Sequence, residues 1–175
     1  MAPPSEPSEP ATPSDLHPGL ADVAMLLGTW EGAGRGEYPT IEPFEYTESI
    51  TFGHVGKPFL AYQQRTRATD DRRPLHAESG YWRFPERGLA ELVLAHPTGI
   101  VEVLEGFAAP NMPGSDTFMI DLRSTSISGS TSAKAVSQTE RTFEITGDTL
   151  RYTVRMGAVG LPIQHHLAAV LHRVA

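Results

Sequence analysis

Seven histidines and no cysteine set the terms of any metal chemistry in this 175-residue chain. Without thiols there is no disulfide framework, no thiolate zinc or iron–sulfur site and no cysteine nucleophile, so a metal falls to histidine or carboxylate. The most informative histidines are C-terminal, in the run HHLAAVLHRV. Read as a strand, this run puts His166, Ala168, Val170 and His172 on one face and His165, Leu167, Ala169 and Leu171 on the other, so adjacent histidines cannot both point into one interior. His166 and His172 share a face but stand about 20 Å apart at ~3.3 Å per residue, too far to chelate one ion. Periodicity does not choose between the faces, and the small Ala168 and Val170 tilt the preference only slightly toward His166.

His17 lies in a tail and His54 in the turn-like GHVGKP, and both read as solvated. His76 and His96 lie on or beside strand-like runs, where a lone histidine is satisfied more often by a backbone carbonyl than by a metal. His96 precedes Pro97 and is expected to end its strand. No HExxH, GxSxG or SxxK motif occurs and no carboxylates pair at a plausible site, so hydrolysis or acid–base catalysis by side chains finds no support. Asp70-Asp71-Arg72-Arg73 reads as a solvated turn.

The second unusual segment is GTWEGAGRGEYPTI, residues 28–41. As a strand it puts Gly28, Trp30, Gly32, Gly34 and Gly36 on one face, one indole beside four positions without a side chain. Glycine weakens a strand interior, so such a row needs a reason: close approach of a ligand or another backbone, or strong twist at a barrel corner. A phosphate loop is a poor reading, because the third glycine of GxGxxG and a following Lys-Ser/Thr are missing and Tyr38-Pro39 follows instead of a helix.

The elements that must position these residues are mostly strands. A short helix is expected over Asp22–Leu27, begun by Leu20, as a plug or lid. About ten strand-like runs follow between residues 29 and 174, separated by Gly, Pro, Asp and Asn. In 44–53, Phe44, Tyr46, Ile50 and Phe52 oppose Glu45, Thr47, Ser49 and Thr51, with Glu48 the exception on the apolar face. In 117–123, Phe118, Ile120 and Leu122 form one face, and FEITGDTLRYTV reads as a hairpin around Gly147-Asp148. Short connections in sequence order predict an all-β, up-and-down antiparallel barrel of about ten strands, which leaves no edges and encloses more room than its own side chains fill.

Residues 1–18 hold six prolines, three acids, no basic residue and one large apolar side chain, Leu16. Such a segment cannot offset its chain entropy by burial and is expected to be a disordered tail, leaving residues 19–175 as one barrel domain. With 14 basic and 21 acidic side chains and a net charge of −7, the chain's field repels nucleic acid and anionic lipid. No run reaches the ~20 apolar residues of a membrane span, and MAPPSEPSEP lacks the features of a signal peptide, so the cytoplasm is the default expectation.

Taken in order, these segments resemble the nitrobindin family. GTWEGAG at 28–34 matches a GxWxGxG signature, Tyr38-Pro39-Thr40-Ile41 continues it, and His166 to Val170 matches the family's ligand strand. HVGKPF (54–59) and LHAESGY (75–81) also look like family text. GxW alone is shared with other lipocalin-like barrels, whereas the whole set, from about residue 20 to the end, is specific. The resemblance implies a barrel of the fatty-acid-binding-protein type holding one ferric haem b, Fe(III), per chain, with His166 as the iron ligand. It implies Thr40 as a haem-pocket residue; charge suggests Lys134 near the propionates, and the glycine row would let the macrocycle lie against Gly28, Trp30, Gly32 and Gly34. The implied activities are uptake of nitric oxide and isomerisation of peroxynitrite to nitrate, with no distal histidine assigned and a homodimer as the open assembly.

Two other readings compete. A carrier of a fatty acid or other small apolar ligand, without haem, would need an internal basic partner, for which Arg65, Arg67 and Arg83 are candidates. An interaction protein would use the Pro-rich tail as its working part and the barrel as a platform.

Overall fold

The structure is a computed structural model that describes residues 15–174. The disorder expected for residues 1–14 lies outside the described residues. A 3-10 helix over Pro18–Leu26 is followed by β1 (Gly28–Tyr38), β2 (Ile41–Gly53), β3 (Phe59–Ala68), β4 (Pro74–Arg83) and β5 (Leu89–His96). The chain continues through β6 (Ile100–Pro110), β7 (Thr117–Gly129), β8 (Val136–Thr146), β9 (Thr149–Ala158) and β10 (Gln164–Val174). Each strand pairs antiparallel with the next and β10 closes on β1, giving the ten-stranded up-and-down barrel that the alternation predicts.

The period-two pattern explains most of the register. Tyr46, Ile50 and Phe52 are buried on β2, and Leu150, Tyr152 and Val154 on β9, while Arg151, Thr153 and Arg155 are exposed. β7 extends to Gly129, past the expected end at Arg123. Its Ser/Thr-rich second half has no apolar alternation to read but pairs with Ile100–Leu104 of β6 across a bulge.

The plug differs from expectation in start and type. Pro18 pre-sets the first turn, and the His17 Nδ1 accepts a hydrogen bond from the Gly19 N–H, so the helix begins at Pro18 rather than Leu20 and winds as a 3-10 helix. Leu16, assigned to the tail, packs against the core. Leu20, Val23 and Leu26 close one end of the barrel, each burial worth about 1.5–3 kcal/mol. The Trp30 Nε1–H donates to the Leu26 carbonyl at 2.8 Å, and the Arg173 guanidinium covers the indole at 4.2 Å while donating to the Met25 carbonyl.

Behind the plug, Phe52, Leu60, Trp82, Leu92, Leu104, Ile120, Phe143 and Leu150 are buried and form the core at that end of the barrel. The other end, bordered by the β1–β2, β3–β4, β5–β6, β7–β8 and β9–β10 connections, stays open. Among the described residues no helix is long and apolar enough to cross a membrane.

Candidate functional site

The open end holds a cavity of about 1070 Å³. Ile41, Phe44, Leu75, Ile100, Val154 and Met156 supply its apolar walls, and Arg73 and Lys134 add positive charge. A volume of this size matches the upper range of small-molecule and cofactor pockets.

His166 lines this cavity, for a reason that strand alternation does not contain. β10 pairs with β9 as His165–Arg155 and then Leu167–Val154, so His166 is the extra residue of a β-bulge. Beyond the bulge the inward face is Leu167, Ala169 and Leu171, while Val170 and His172 are exposed. The face proposed from the sequence, with His166, Ala168 and Val170 together, is therefore incorrect. The bulge breaks the alternation and lets His166 and Leu167, adjacent in sequence, both line the cavity. His166 Nδ1 lies 3.0 Å from the Glu37 carbonyl and the ring meets Tyr38 edge-on at 5.5 Å, so the imidazole is oriented by β1. Burial lowers its pKa below the ordinary 6.5 and so favours the neutral ring, outweighing the Glu37 hydrogen bond, which favours the protonated one.

The glycine row sits elsewhere. Trp30 is fully buried at the plugged end, and Gly28 starts β1 there with φ of +107°, so neither reaches the cavity. A Cβ on Gly32 would stand 2.1 Å from the Val170 carbonyl oxygen, and one on Gly34 would fall within the Tyr46 ring contact. These positions are empty because β10's backbone and an aromatic ring already fill them, which corrects the expectation that Gly28, Trp30, Gly32 and Gly34 form a cofactor wall. Thr40 is exposed in the β1–β2 turn, and its neighbour Ile41 lines the cavity instead. Lys134 stands at the mouth, on the β7–β8 connection.

Between cavity and core lies a buried polar layer that sequence reasoning missed. Arg141 Nη1 donates to Glu78 Oε1 at 2.7 Å, and Nη2 to Glu78 Oε2 at 3.0 Å and Glu102 Oε1 at 2.7 Å. Tyr62 donates to Glu78, Thr139 to Glu102, and His96 Nε2 lies 3.0 Å from Glu102 Oε1. On the other side, Tyr152 donates to Glu48 Oε2 at 2.7 Å and Gln64 to Glu48 Oε1, with Tyr46 bonded to Tyr152. The stated absence of paired carboxylates is thus wrong: Glu48, Glu78 and Glu102 all face inward. The signal was present for two of them, because Glu48 sits in phase with Tyr46 and Ile50 and Glu102 with Ile100 and Leu104.

The three carboxylates are in unlike electrostatic states. Burial pushes Glu48 up to about 7, outweighing its hydrogen bonds from Tyr152 and Gln64. Burial would also raise Glu78 and Glu102, but the Arg141 guanidinium overrides it, holding Glu78 well below the usual carboxylate range and Glu102 at about 2. Glu48 therefore makes the fold less stable as pH rises from the ordinary 4.5 to about 7, because the folded state holds the proton longer than the unfolded chain. Glu48→Gln removes this dependence. In urea denaturation its stability relative to wild type should improve by up to about 3 kcal/mol between pH 4.5 and 8. A stability difference that does not change with pH would contradict this assignment.

A closed barrel with one plugged end, one open cavity and an oriented neutral imidazole defines a small-molecule-binding β-barrel. The profile described as "THAP4-like, heme-binding beta-barrel domain" matches residues 19–173, and the chain belongs to that family, the nitrobindins. It is 58% identical over 163 residues to "Peroxynitrite isomerase 1" of Mycolicibacterium paratuberculosis, covering 92% of this chain and 98% of that protein. It is 52% identical over 166 residues to "Peroxynitrite isomerase" of Nocardia farcinica, covering 95% and 97%. The crystal structure of Rv2717c from M. tuberculosis superposes with a TM-score of 0.88 at 49% identity, covering 92% of this chain and all of that one.

Proposed function

We propose that this chain is a haem-dependent peroxynitrite isomerase that holds one ferric haem b in the open cavity through His166 and also takes up nitric oxide. The observation that carries this reading is the bulge at His166, which brings a neutral imidazole to an apolar cavity with Nδ1 committed to the Glu37 carbonyl. That leaves Nε2 as the nitrogen able to take the iron, and the carbonyl partner sets the ring's tautomer and orientation. The residues fit the group in size as well as chemistry, since 1070 Å³ with apolar walls admits a macrocycle. Similarity to the two peroxynitrite isomerases over almost the whole chain supports the reaction.

When bound, ferric haem supplies a Lewis-acidic iron with a coordination position open to a small anion. Peroxynitrite to nitrate is a rearrangement with no net gain of protons or electrons, so the chain's residues need not act as acid or base. Their work is to hold and to shield: Ile41, Phe44, Leu75, Val154 and Met156 exclude water, and Lys134 and Arg73 at the mouth attract propionates and the anionic substrate. The reading also places the protein in the cytoplasm.

The carrier reading loses the three arginines named for it, although Arg73 and Lys134 line the cavity. Arg65, Arg67 and Arg83 are exposed on the outside of the barrel, and the internal Arg141 is already bound to two carboxylates.

Titration with ferric hemin tests the proposal. The wild-type Soret band should sharpen and saturate at one equivalent, and His166→Ala should abolish it while circular dichroism shows an intact barrel. An unchanged Soret band in the variant would refute His166 as ligand. Stopped-flow mixing of the loaded protein with peroxynitrite should give nitrate faster than hemin alone, and equal rates would refute the isomerase reading.

A further inference from the structure

His76, His96 and Glu78 stand together in the cavity and take no part in the function proposed above. His76 and Glu78 are two residues apart on β4 and so share its inner face. The β4–β5 register, with Ser79 opposite Ala95, brings His96 across from Glu78. His96 Nδ1 lies 3.3 Å from His76 Nε2 and 3.5 Å from Glu78 Oε2, and His76 Nε2 lies 3.6 Å from that same oxygen. Tetrahedral ligands held at 2.0–2.1 Å from an ion stand about 3.3–3.4 Å from one another. The three donor atoms therefore already have the spacing of one face of a tetrahedral site.

The remaining atoms of these side chains are occupied in the way a metal site requires. His96 turns Nε2 to Glu102 at 3.0 Å, a carboxylate–histidine pair that leaves Nδ1 with a lone pair toward the centre. Glu78 Oε1 accepts from both Tyr62 and Arg141, while Oε2 takes only Arg141 Nη2 and keeps acceptor capacity on the side of the histidines. The His76 side chain is 34% exposed, so the fourth position opens on the cavity. Charge agrees: the buried pair Glu78 and Glu102 faces one guanidinium, Arg141, which leaves this pocket one cation short.

We propose that His76, His96 and Glu78 form a metal site distinct from His166, taking a divalent ion of zinc-like preference through two imidazoles and one carboxylate, with a fourth position open to the cavity. Arg141 and Glu102 are its positioning residues, holding Glu78 and His96 in their ligating orientations.

The competing arrangement is a plain hydrogen bond from His76 Nε2–H to His96 Nδ1. Titrating the full-length, haem-free protein with cobalt(II) separates the two. The metal site predicts saturation at one equivalent with the ligand-field bands of tetrahedral N/O coordination, displaced by zinc(II). It predicts the same titration in His166→Ala, a loss of affinity of about a hundredfold or more in His76→Gln and His96→Gln, and about 10–100-fold in Glu102→Gln. His76 is only partly buried and borders the cavity, so His76→Gln should keep its fold, with thermal unfolding followed by circular dichroism as the control. No cobalt bands in wild type, or bands that survive His76→Gln or vanish in His166→Ala, would overturn the proposal.

Discussion

Replacing Arg141 by leucine is expected to cost the barrel about 3–5 kcal/mol at pH 7, because it leaves buried carboxylates without their cation. The guanidinium is 7% exposed and makes three of the charged hydrogen bonds in the polar layer, two to Glu78 and one to Glu102. For a domain of this size the loss corresponds to a fall in Tm of roughly 6–20 °C. The pH dependence identifies the cause. Wild-type Glu78 and Glu102 have depressed pKa values, so their stabilisation is present above the ordinary 4.5 and is lost as pH falls through about 2 for Glu102 and lower still for Glu78. Without Arg141, burial raises both, and the variant gains stability as pH falls from 7 toward 4.5 while wild type does not lose this contribution until lower pH. Urea denaturation at pH 7 and 4.5 should therefore show a deficit that shrinks on acidification. Adding Glu78→Gln and Glu102→Gln to the variant should recover much of the loss at pH 7 by removing the unpaired charges. A deficit under about 1 kcal/mol at pH 7 would mean that water, not Arg141, solvates the two acids.

The second large effect is expected at Gly32→Ala. The added methyl would stand 2.1 Å from the Val170 carbonyl oxygen and 2.7 Å from the Leu171 Cα, both backbone atoms of β10 that no rotamer change can move. β1 and β10 must separate locally, at the seam that closes the barrel. Overpacking of this kind costs up to about 3 kcal/mol, a fall in Tm of roughly 6–12 °C. The variant also separates the two roles open to the glycine row. If the row serves backbone packing, the Tm falls and hemin still binds at one equivalent below the new transition. If Tm stays and hemin affinity is lost, the row serves the macrocycle and not the close approach of β10 at Val170. Gly34→Ala should be less costly, since the ring of Tyr46 can swing, though only by disturbing its hydrogen bond to Tyr152.

Much of the fold was legible because side-chain direction in a strand repeats every two residues and can be counted along the chain. Phe118, Ile120 and Leu122, or Leu150, Tyr152 and Val154, announce both a strand and its buried face. Boundaries read less well where alternation stops, as at the Ser/Thr-rich end of β7, or where a cap decides, as with His17 and Pro18 at the plug. In the site, sequence singled out His166, yet the face argument behind the choice fails. The buried acids were visible as exceptions such as Glu48, but their partners were not. Arg141 lies 63 residues from Glu78 and 39 from Glu102, and nothing local links them.

The amino-acid sequence by itself determined an all-β chain with a helical plug, short connections and no cysteine chemistry, since these depend on composition and on period-two patterns within single segments. Its ordered motifs also determined the family. Tertiary structure alone decided the register of β10 on β9, and with it the bulge that brings His166 to the cavity. It also decided that the glycines of β1 accommodate β10's backbone and an aromatic ring, and that His76, His96 and Glu78 converge on one point. The physical reason is common to all three. Closing a barrel sets which residues of distant strands lie opposite one another, and a shift of one residue reverses every side chain beyond it.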